Sequence, residues 1–261
     1  MSRVHLTMQG HIAHVQLNRP EKLNAVDMAM IDEVVAVGES LAKQADLRAV
    51  VLSGAGKAFS AGLDVASFGA LAGGDPEALI LPRTHGAANR FQQFSLVWQQ
   101  LPVPVIAALH GPCFGAGFQL ALGADIRIAH ASVRLSVMEM KWGLVPDMGG
   151  MVLLPRLVRA DTLARLIYTA DAVLIEQALS WGLVTEEADD LMARAFELAE
   201  TIASKSPSAV RAAKRLIGRA LVAGAADVLA AESKEQAALI GKPHFIEAVS
   251  ANIEDREPKF I

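Results

Sequence analysis

Residues 102–129 read PVPVIAALHGPCFGAGFQLALGADIRIA, and the division of this stretch decides the fold. From Leu101 to Ala124 there is no formal charge, and the run is long enough to span a bilayer. Pro102, Pro104, Pro112, the glycines at 111, 115, 117 and 123, His110 and Gln119 interrupt it. An unbroken membrane helix does not carry that many breaks. A buried strand over 103–111, a glycine turn opening a helix over 114–122, and a further strand over 124–130 accommodate all of them. The chain is therefore read as α/β and not as a membrane span.

Working outward, the N-terminal side continues that pattern. RVHLTM and IAHVQLN alternate in twos around Gln9-Gly10 and predict a hairpin over 3–18. LNRPEKLNAVD (17–27) reads as a loop, followed by a helix from about 27 to 44 with Ile31, Val34, Val35, Gly38 and Leu41 on one face. RAVVLSG (48–54) is a short buried strand, and AGKAFSAGLDV (55–65) a glycine-rich loop after it. Residues 66–76 are the candidate lid, with Gly73-Gly74-Asp75-Pro76, and about 86–100 is helical.

Beyond 150 the character changes. Residues 151–252 are helical in pattern, with breaks at Asp171, Gly182, Ser206-Pro207, Gly224 and Gly241-Lys242-Pro243. Ser206 then Pro207 is a cap followed by proline at the first helical position. The division expected is a core over 1–200 and a helical region over 201–261, with no internal sequence repeat.

Bulk properties exclude several classes. The net charge of −4 provides no general field for nucleic acid. Arg211, Lys214, Arg215 and Arg219 are expected to form one solvated helix face. A single cysteine, Cys113, allows no intrachain disulfide and fits a reducing compartment. MSRVHLTMQG lacks the apolar stretch of a secretory leader, so a cytoplasmic protein with no membrane or nucleic-acid partner is expected.

The motifs narrow the chemistry further. HExxH, paired CxxC and a phosphate-binding P-loop are absent, so no metal site is expected. GAGFQL has Leu120 where a dinucleotide fingerprint needs its third glycine, and FSAGL is not a nucleophile elbow at Ser60. Two loops remain, FSAGLD (59–64) and FGAG (114–117). Each follows a buried strand and exposes backbone N–H groups, and the second opens a helix. Taken singly, each reads as a tight turn. Aimed at one point, two such donors would stabilise an oxyanion. Downstream, MEMKWGLVPDMGG (138–150) carries Glu139 and Asp147, eight residues apart, as candidate acid and base.

In this order LNRPEKLNAVD, VVLSGAGKAFSAGLDV, PVPVIAALHGPCFGAGFQLALGADIRIA and EMKWGLVPDMGG resemble the successive blocks of the enoyl-CoA hydratase/isomerase superfamily, the crotonases. The resemblance implies a spiral of ββα units with C-terminal helices that build a homotrimer or a hexamer of paired trimers. It implies an acyl-CoA substrate and no tightly bound cofactor, since coenzyme A arrives with the substrate. The thioester oxygen would be held as an enolate by the backbone N–H groups of Leu63 and Ala116. Lys57 and Ala61 would lie along the coenzyme A moiety. Lys259 and Phe260 would reach the coenzyme A of a neighbouring subunit.

Two positions depart from the hydratases this chain resembles. Their two glutamates correspond to Glu139 and to position 119, which here is Gln119, an amide that neither takes nor gives a proton near neutral pH. Hydratases also resemble one another in a small residue where Asp147 stands. A carboxylate there is similar to the dienoyl-CoA isomerases, although those carry aspartate at the place of Gln119. Hydration, Δ3–Δ2 or dienoyl isomerisation, and acyl-CoA binding without catalysis are the readings left open. The apolar company of Glu139 (Met138, Met140, Trp142, Leu144) predicts a raised pKa, which suits proton transfer.

Overall fold

A computed structural model describes residues 2–66 and 73–260. Most of the proposed lid over 66–76 lies outside the described residues. The hairpin forms as expected, with β1 (Val4–Gln9) antiparallel to β2 (Ile12–Leu17). β2 is followed in parallel by β3 (Ala49–Gly54), β4 (Val105–Leu109), β6 (Ile126–Ala129) and β8 (Glu186–Glu187), giving the order β1-β2-β3-β4-β6-β8. β3 and β4 are apolar throughout because both faces are covered. Val50, Leu52, Val105, Ala107 and Leu109 enter the main core, while Ala49, Val51, Ile106 and Ala108 meet Ala195 and Ala199 of helix 191–203 on the other side.

A second ladder runs beside this sheet, built from the segments that follow its strands. Val26 N–H donates to the Gly62 carbonyl, and Asp64 N–H to that of Val26, both at 2.8 Å. Ser60 N–H donates to the Pro112 carbonyl and Phe114 N–H to that of Ser60, both at 3.0 Å. The short strand β5 (Pro112–Phe114) then pairs in parallel with β7 (Arg134–Ser136), and Leu135 exchanges hydrogen bonds with Val173. Each turn of chain adds one strand to the sheet and one segment to this ladder, which is the expected spiral. β5 is an addition to the sequence reading, which had a bare turn there.

Helices close the turns. α1 (Met28–Leu41) starts at Asp27, whose side chain accepts the Met30 N–H, and buries Met30, Ile31, Val34, Val35, Gly38 and Leu41. After α2 (Pro76–Ile80), α3 (Arg90–Gln100) opens on a reciprocal cap between Asn89 and Gln92. α1 and α3 cross at Gly38, where a Cβ would stand 2.5 Å from Val97 Cγ2. α4 (Ala116–Leu122) is buried along its whole length.

The C-terminal half is helical, as the pattern predicts: α5 (Gly150–Leu153), α6 (Ala160–Thr169), α7 (Ile175–Ser180), α8 (Leu191–Ala203), α9 (Pro207–Ala220), α10 (Ala225–Leu239) and α11 (Pro243–Ile253). Ser206 caps α9 by accepting the Ala209 N–H. No helix among the described residues is long and apolar enough to cross a membrane.

The expected solvated basic face on α9 is corrected by the structure. Lys214 Nζ donates to the carbonyls of Trp98 (3.3 Å) and Val103 (2.8 Å) and pairs with Asp125 at 2.8 Å. Arg211 donates to the carbonyls of Ala45 and Leu47, and Arg215 pairs with Glu235 on α10. Carbonyls at the N-terminal ends of β3 and β4 need donors, and a basic helix face provides them. Lys214→Met is expected to lower unfolding free energy by about 1–3 kcal/mol in denaturant titration, whereas Arg219→Met changes it by less than about 0.5 kcal/mol.

Candidate active site

The site lies where the second ladder brings the two glycine loops together. In the bridge between Val26 and Leu63, the Gly62 carbonyl and Asp64 N–H point at Val26. Alternation along an extended segment therefore turns the Leu63 N–H to the other side. Gly62 has φ +90°, and a Cβ there would lie 2.9 Å from the Phe114 carbonyl oxygen. Gly117 packs on the Ser60 side chain with no room for a Cβ. Only glycine permits both approaches. Ala116 is the first residue of α4, where an N–H has no partner inside the helix. Among the described residues neither the Leu63 nor the Ala116 N–H donates a hydrogen bond.

The loop 55–64 is fixed from below by residues of the 17–27 loop. Asn24 is fully buried with φ 54° and donates from Nδ2 to the carbonyls of Ala55 (2.9 Å) and Ala58 (2.8 Å). Arg19 holds Asp64, next to Leu63, at 2.6 Å. An asparagine in a positive-φ loop position was the available signal.

Glu139 begins a single 3-10 turn, Glu139–Trp142. Its Oε1 lies where a Cβ on Gly115 would be 3.3 Å away, beside the second loop. Gln119, on α4 and 1% exposed, donates from Nε2 to Glu139 Oε1 at 2.6 Å. Its Oε1 accepts the N–H groups of Met148 and Gly150, both at 2.9 Å. Two backbone donors aimed at one atom identify that end as oxygen, so the NH2 faces Glu139. Glu139 Oε2 is buried and, among the described residues, without a partner.

Burial pushes the Glu139 carboxyl above the usual carboxylate range. Its own N–H and the Gln119 amide pull back, and the charge of Asp147 adds to the rise. The expected direction holds, but Met140, Trp142 and Leu144 stay exposed. The glycine loop and Gln119 lie against the carboxyl, with half-buried Met138 beside the same glycine. Asp147 is exposed as a residue, yet protein packs around its carboxyl closely enough for burial to raise its pKa too. For both carboxyls the leading cause is burial.

Lys57 is exposed on the loop that leads to Leu63, and Ala61 is half-buried with its N–H on the Leu23 carbonyl. Lys259 and Phe260 lie elsewhere. The Phe260 carbonyl accepts from Arg48, at the opposite end of β3 from these loops, and its ring meets His244. Within one chain they do not join the site. Cys113 is buried, and burial raises its thiol pKa, so the thiol is inert. Among the described residues no group of three or more His, Cys, Asp or Glu is placed to hold a metal. Chemically, two free N–H donors beside a partly buried carboxylate can hold an oxyanion and move a proton next to it.

The sequence profile described as Enoyl-CoA hydratase/isomerase matches residues 7–261. Delta(3,5)-Delta(2,4)-dienoyl-CoA isomerase, mitochondrial, of Mus musculus is 37% identical over 79% of this chain, which spans 65% of that protein's length. Short-chain-enoyl-CoA hydratase of Clostridium acetobutylicum is 33% identical over 98% of this chain and 97% of its own. The crystal structure of an enoyl-CoA hydratase from Bacillus anthracis superposes with a TM-score of 0.89 at 31% identity, covering 99% of this chain and 98% of that one. The chain belongs to the enoyl-CoA hydratase/isomerase family.

Two outcomes test the geometry. A raised carboxyl pKa contributes stability that is fully present below its unfolded value, about 4.3, and is lost as pH rises through the folded value. Glu139→Gln is therefore expected to melt higher than the parent protein near pH 8, with the difference vanishing near pH 4. Ala116→Pro removes one N–H at a helical position that tolerates proline. It is expected to lower kcat on an acyl-CoA substrate by about 10²–10³-fold with little change in Tm.

Proposed function

We propose that this protein moves a double bond in an enoyl-CoA thioester through an enolate, with Glu139 as proton carrier. The observation that carries the reading is the contact between Gln119 Nε2 and Glu139 Oε1. The group beside Glu139 is a neutral amide donor, where the two-carboxylate addition of water needs a second acid or base. Isomerisation needs a base that returns the proton it takes, and one carboxylate suffices.

For a 3-enoyl-CoA, the Glu139 carboxylate removes a proton from C2. Charge moves to the thioester oxygen, where the N–H groups of Leu63 and Ala116 would receive it. The same carboxyl then gives the proton to C4, leaving the 2-enoyl-CoA and restoring the carboxylate. For a 3,5-dienoyl-CoA, the terminal carbon C6 lies farther from C2. There a pair sharing one proton serves, one carboxylate accepting at C2 and the other carboxylic acid delivering at C6. Asp147, whose field reaches Glu139, supports this second use.

The neighbouring subunits that the resemblance implies belong to the same proposal. Ile217 on α9, Leu221 and Val222 just after it, Leu229 on α10, and Phe245, Ile246 and Ile253 on α11 are exposed apolar side chains of the kind a subunit interface covers.

Turnover of 3-enoyl-CoA, 3,5-dienoyl-CoA and crotonyl-CoA distinguishes the readings. Isomerisation is expected to exceed hydration. Glu139→Gln should lower it by about 10²–10⁴-fold, and Asp147→Asn should impair the dienoyl reaction far more than the 3-enoyl one. Crotonyl-CoA hydration as the dominant activity, lost in Glu139→Gln, would restore the hydratase reading.

A further inference from the structure

We infer that Arg19 is a positioning residue of the proposed enolate site, holding the Asp64 carboxylate in a neutral ion pair so that no net negative charge stands one residue from the Leu63 N–H. The inference rests on the reading of Leu63 and Ala116 as donors to a thioester oxygen. It does not depend on which enoyl reaction follows.

Leu63 keeps its place without Arg19. The Gly62 carbonyl and the Asp64 N–H are both bound to Val26 at 2.8 Å, and the Ala61 N–H to the Leu23 carbonyl at 2.8 Å. Asn24 holds the carbonyls of Ala55 and Ala58. What these bonds leave unsettled is charge. Asp64 Oδ1 accepts the Ala66 N–H at 3.0 Å, and Oδ2 accepts from Arg19 Nη1 at 2.6 Å. Those two donors, the Ala66 N–H first, hold the carboxyl below the usual carboxylate range, so it is ionised near neutral pH. Consecutive Cα atoms stand about 3.8 Å apart, which puts this charge on the order of 10 Å from an oxygen held by the Leu63 N–H. An uncompensated carboxylate at that distance opposes the charge that an enolate builds.

The ion pairs around Arg19 show which charge would be left alone without it. They alternate in sign, Arg3 to Asp27 at 2.8 Å, Asp27 to Arg19 at 3.6 Å and Arg19 to Asp64 at 2.6 Å. Asp27 has Arg3 as a second partner and also accepts the Met30 N–H at the start of α1. Among the described residues Asp64 pairs with Arg19 alone. Lys22 also bears on it, but from an exposed position where water and salt weaken its field. The side chains of Arg19 and Asp64 are 12% and 14% exposed, so solvent screens their pair less than one on the surface.

The assay is exchange of the C2 hydrogens of butyryl-CoA into D2O, followed by mass spectrometry, because this saturated thioester can form an enolate but can be neither hydrated nor isomerised. Removing either member of a neutral pair leaves a net charge, of opposite sign in the two cases. Arg19→Met is expected to slow exchange at saturating butyryl-CoA by about three- to tenfold, with KM little changed. Asp64→Asn keeps an oxygen for the Ala66 N–H and is expected to speed exchange by at least about twofold. The double variant should return to within about twofold of the parent. A pair that only braced the loop would slow exchange in both single variants. Slowing in Asp64→Asn, a double variant no faster than Arg19→Met, or no change in Arg19→Met overturns the inference. If Arg19→Met does not fold, Asp64→Asn decides alone: faster exchange supports the inference, and an equal or slower rate overturns it. Failure of the donor reading shows separately, as butyryl-CoA exchange that Ala116→Pro leaves at the parent rate. No exchange in the parent protein overturns the enolate reading and this inference with it.

Discussion

The hydrogen bonds between Ser60 and the Pro112–Phe114 strand are the constraint on which the site depends. Backbone groups in a buried segment must be paired, and these segments pair sideways with the next turn of the spiral. Both edges of these segments are used, Pro112–Phe114 towards Ser60 and towards β7, and 60–64 towards Phe114 and towards Val26. Leu63 and Ala116 stand where those ladders run out, and among the described residues their N–H groups donate no hydrogen bond. The donors that would hold an oxyanion are thus a by-product of how the second ladder is satisfied, and the glycines at 62 and 117 are what lets the two loops approach.

Around that backbone frame the side chains divide the work by charge. Asn24 and Arg19 brace the first loop at its base. Gln119 braces the turn over 147–150 and reaches Glu139 with its other end. A neutral amide does the bracing at the point nearest the carboxyl, and among the described residues Asp147 is the charge that bears on Glu139. Its raised proton affinity then follows from enclosure first and from that neighbour second. The basic residues of α9 do comparable structural work at the far end of the sheet, where Lys214 and Arg211 cap carbonyls ahead of β3 and β4.

Much of the fold was legible because its signals are local. The alternation in 3–18, the apolar runs over 48–54 and 103–111, the Asp27 and Ser206 caps, and the breaks after 150 all depend on neighbours a few residues away. The second ladder was not legible from residue patterns, since Val26, Ser60, Cys113, Leu135 and Val173 meet across long separations and carry no shared motif. The same limit explains the basic face of α9, whose carbonyl partners lie more than 100 residues away in sequence. Within the candidate site, Glu139 and Asp147 are close enough for the charge of one to bear on the other, and Glu139 Oε1 lies beside the Gly115 loop. Gln119 is expected from the sequence among the catalytic residues, as an amide where the hydratases carry a carboxylate. Its three contacts, two to backbone N–H groups 29 and 31 residues on, could not be read from its position.

In the proposed enolate chemistry the backbone N–H groups of Leu63 and Ala116, from different turns of the spiral, would converge on one thioester oxygen. The vibrational spectrum of a bound enoyl-CoA tests this most directly, through the isotope-labelled thioester carbonyl stretch in difference infrared spectroscopy. Two convergent donors polarise that carbonyl, so its stretch is predicted to fall to lower wavenumber on binding and to recover part of the way in Ala116→Pro. A carbonyl stretch in the complex equal to that of the free thioester in water, and unchanged by Ala116→Pro, would contradict the account.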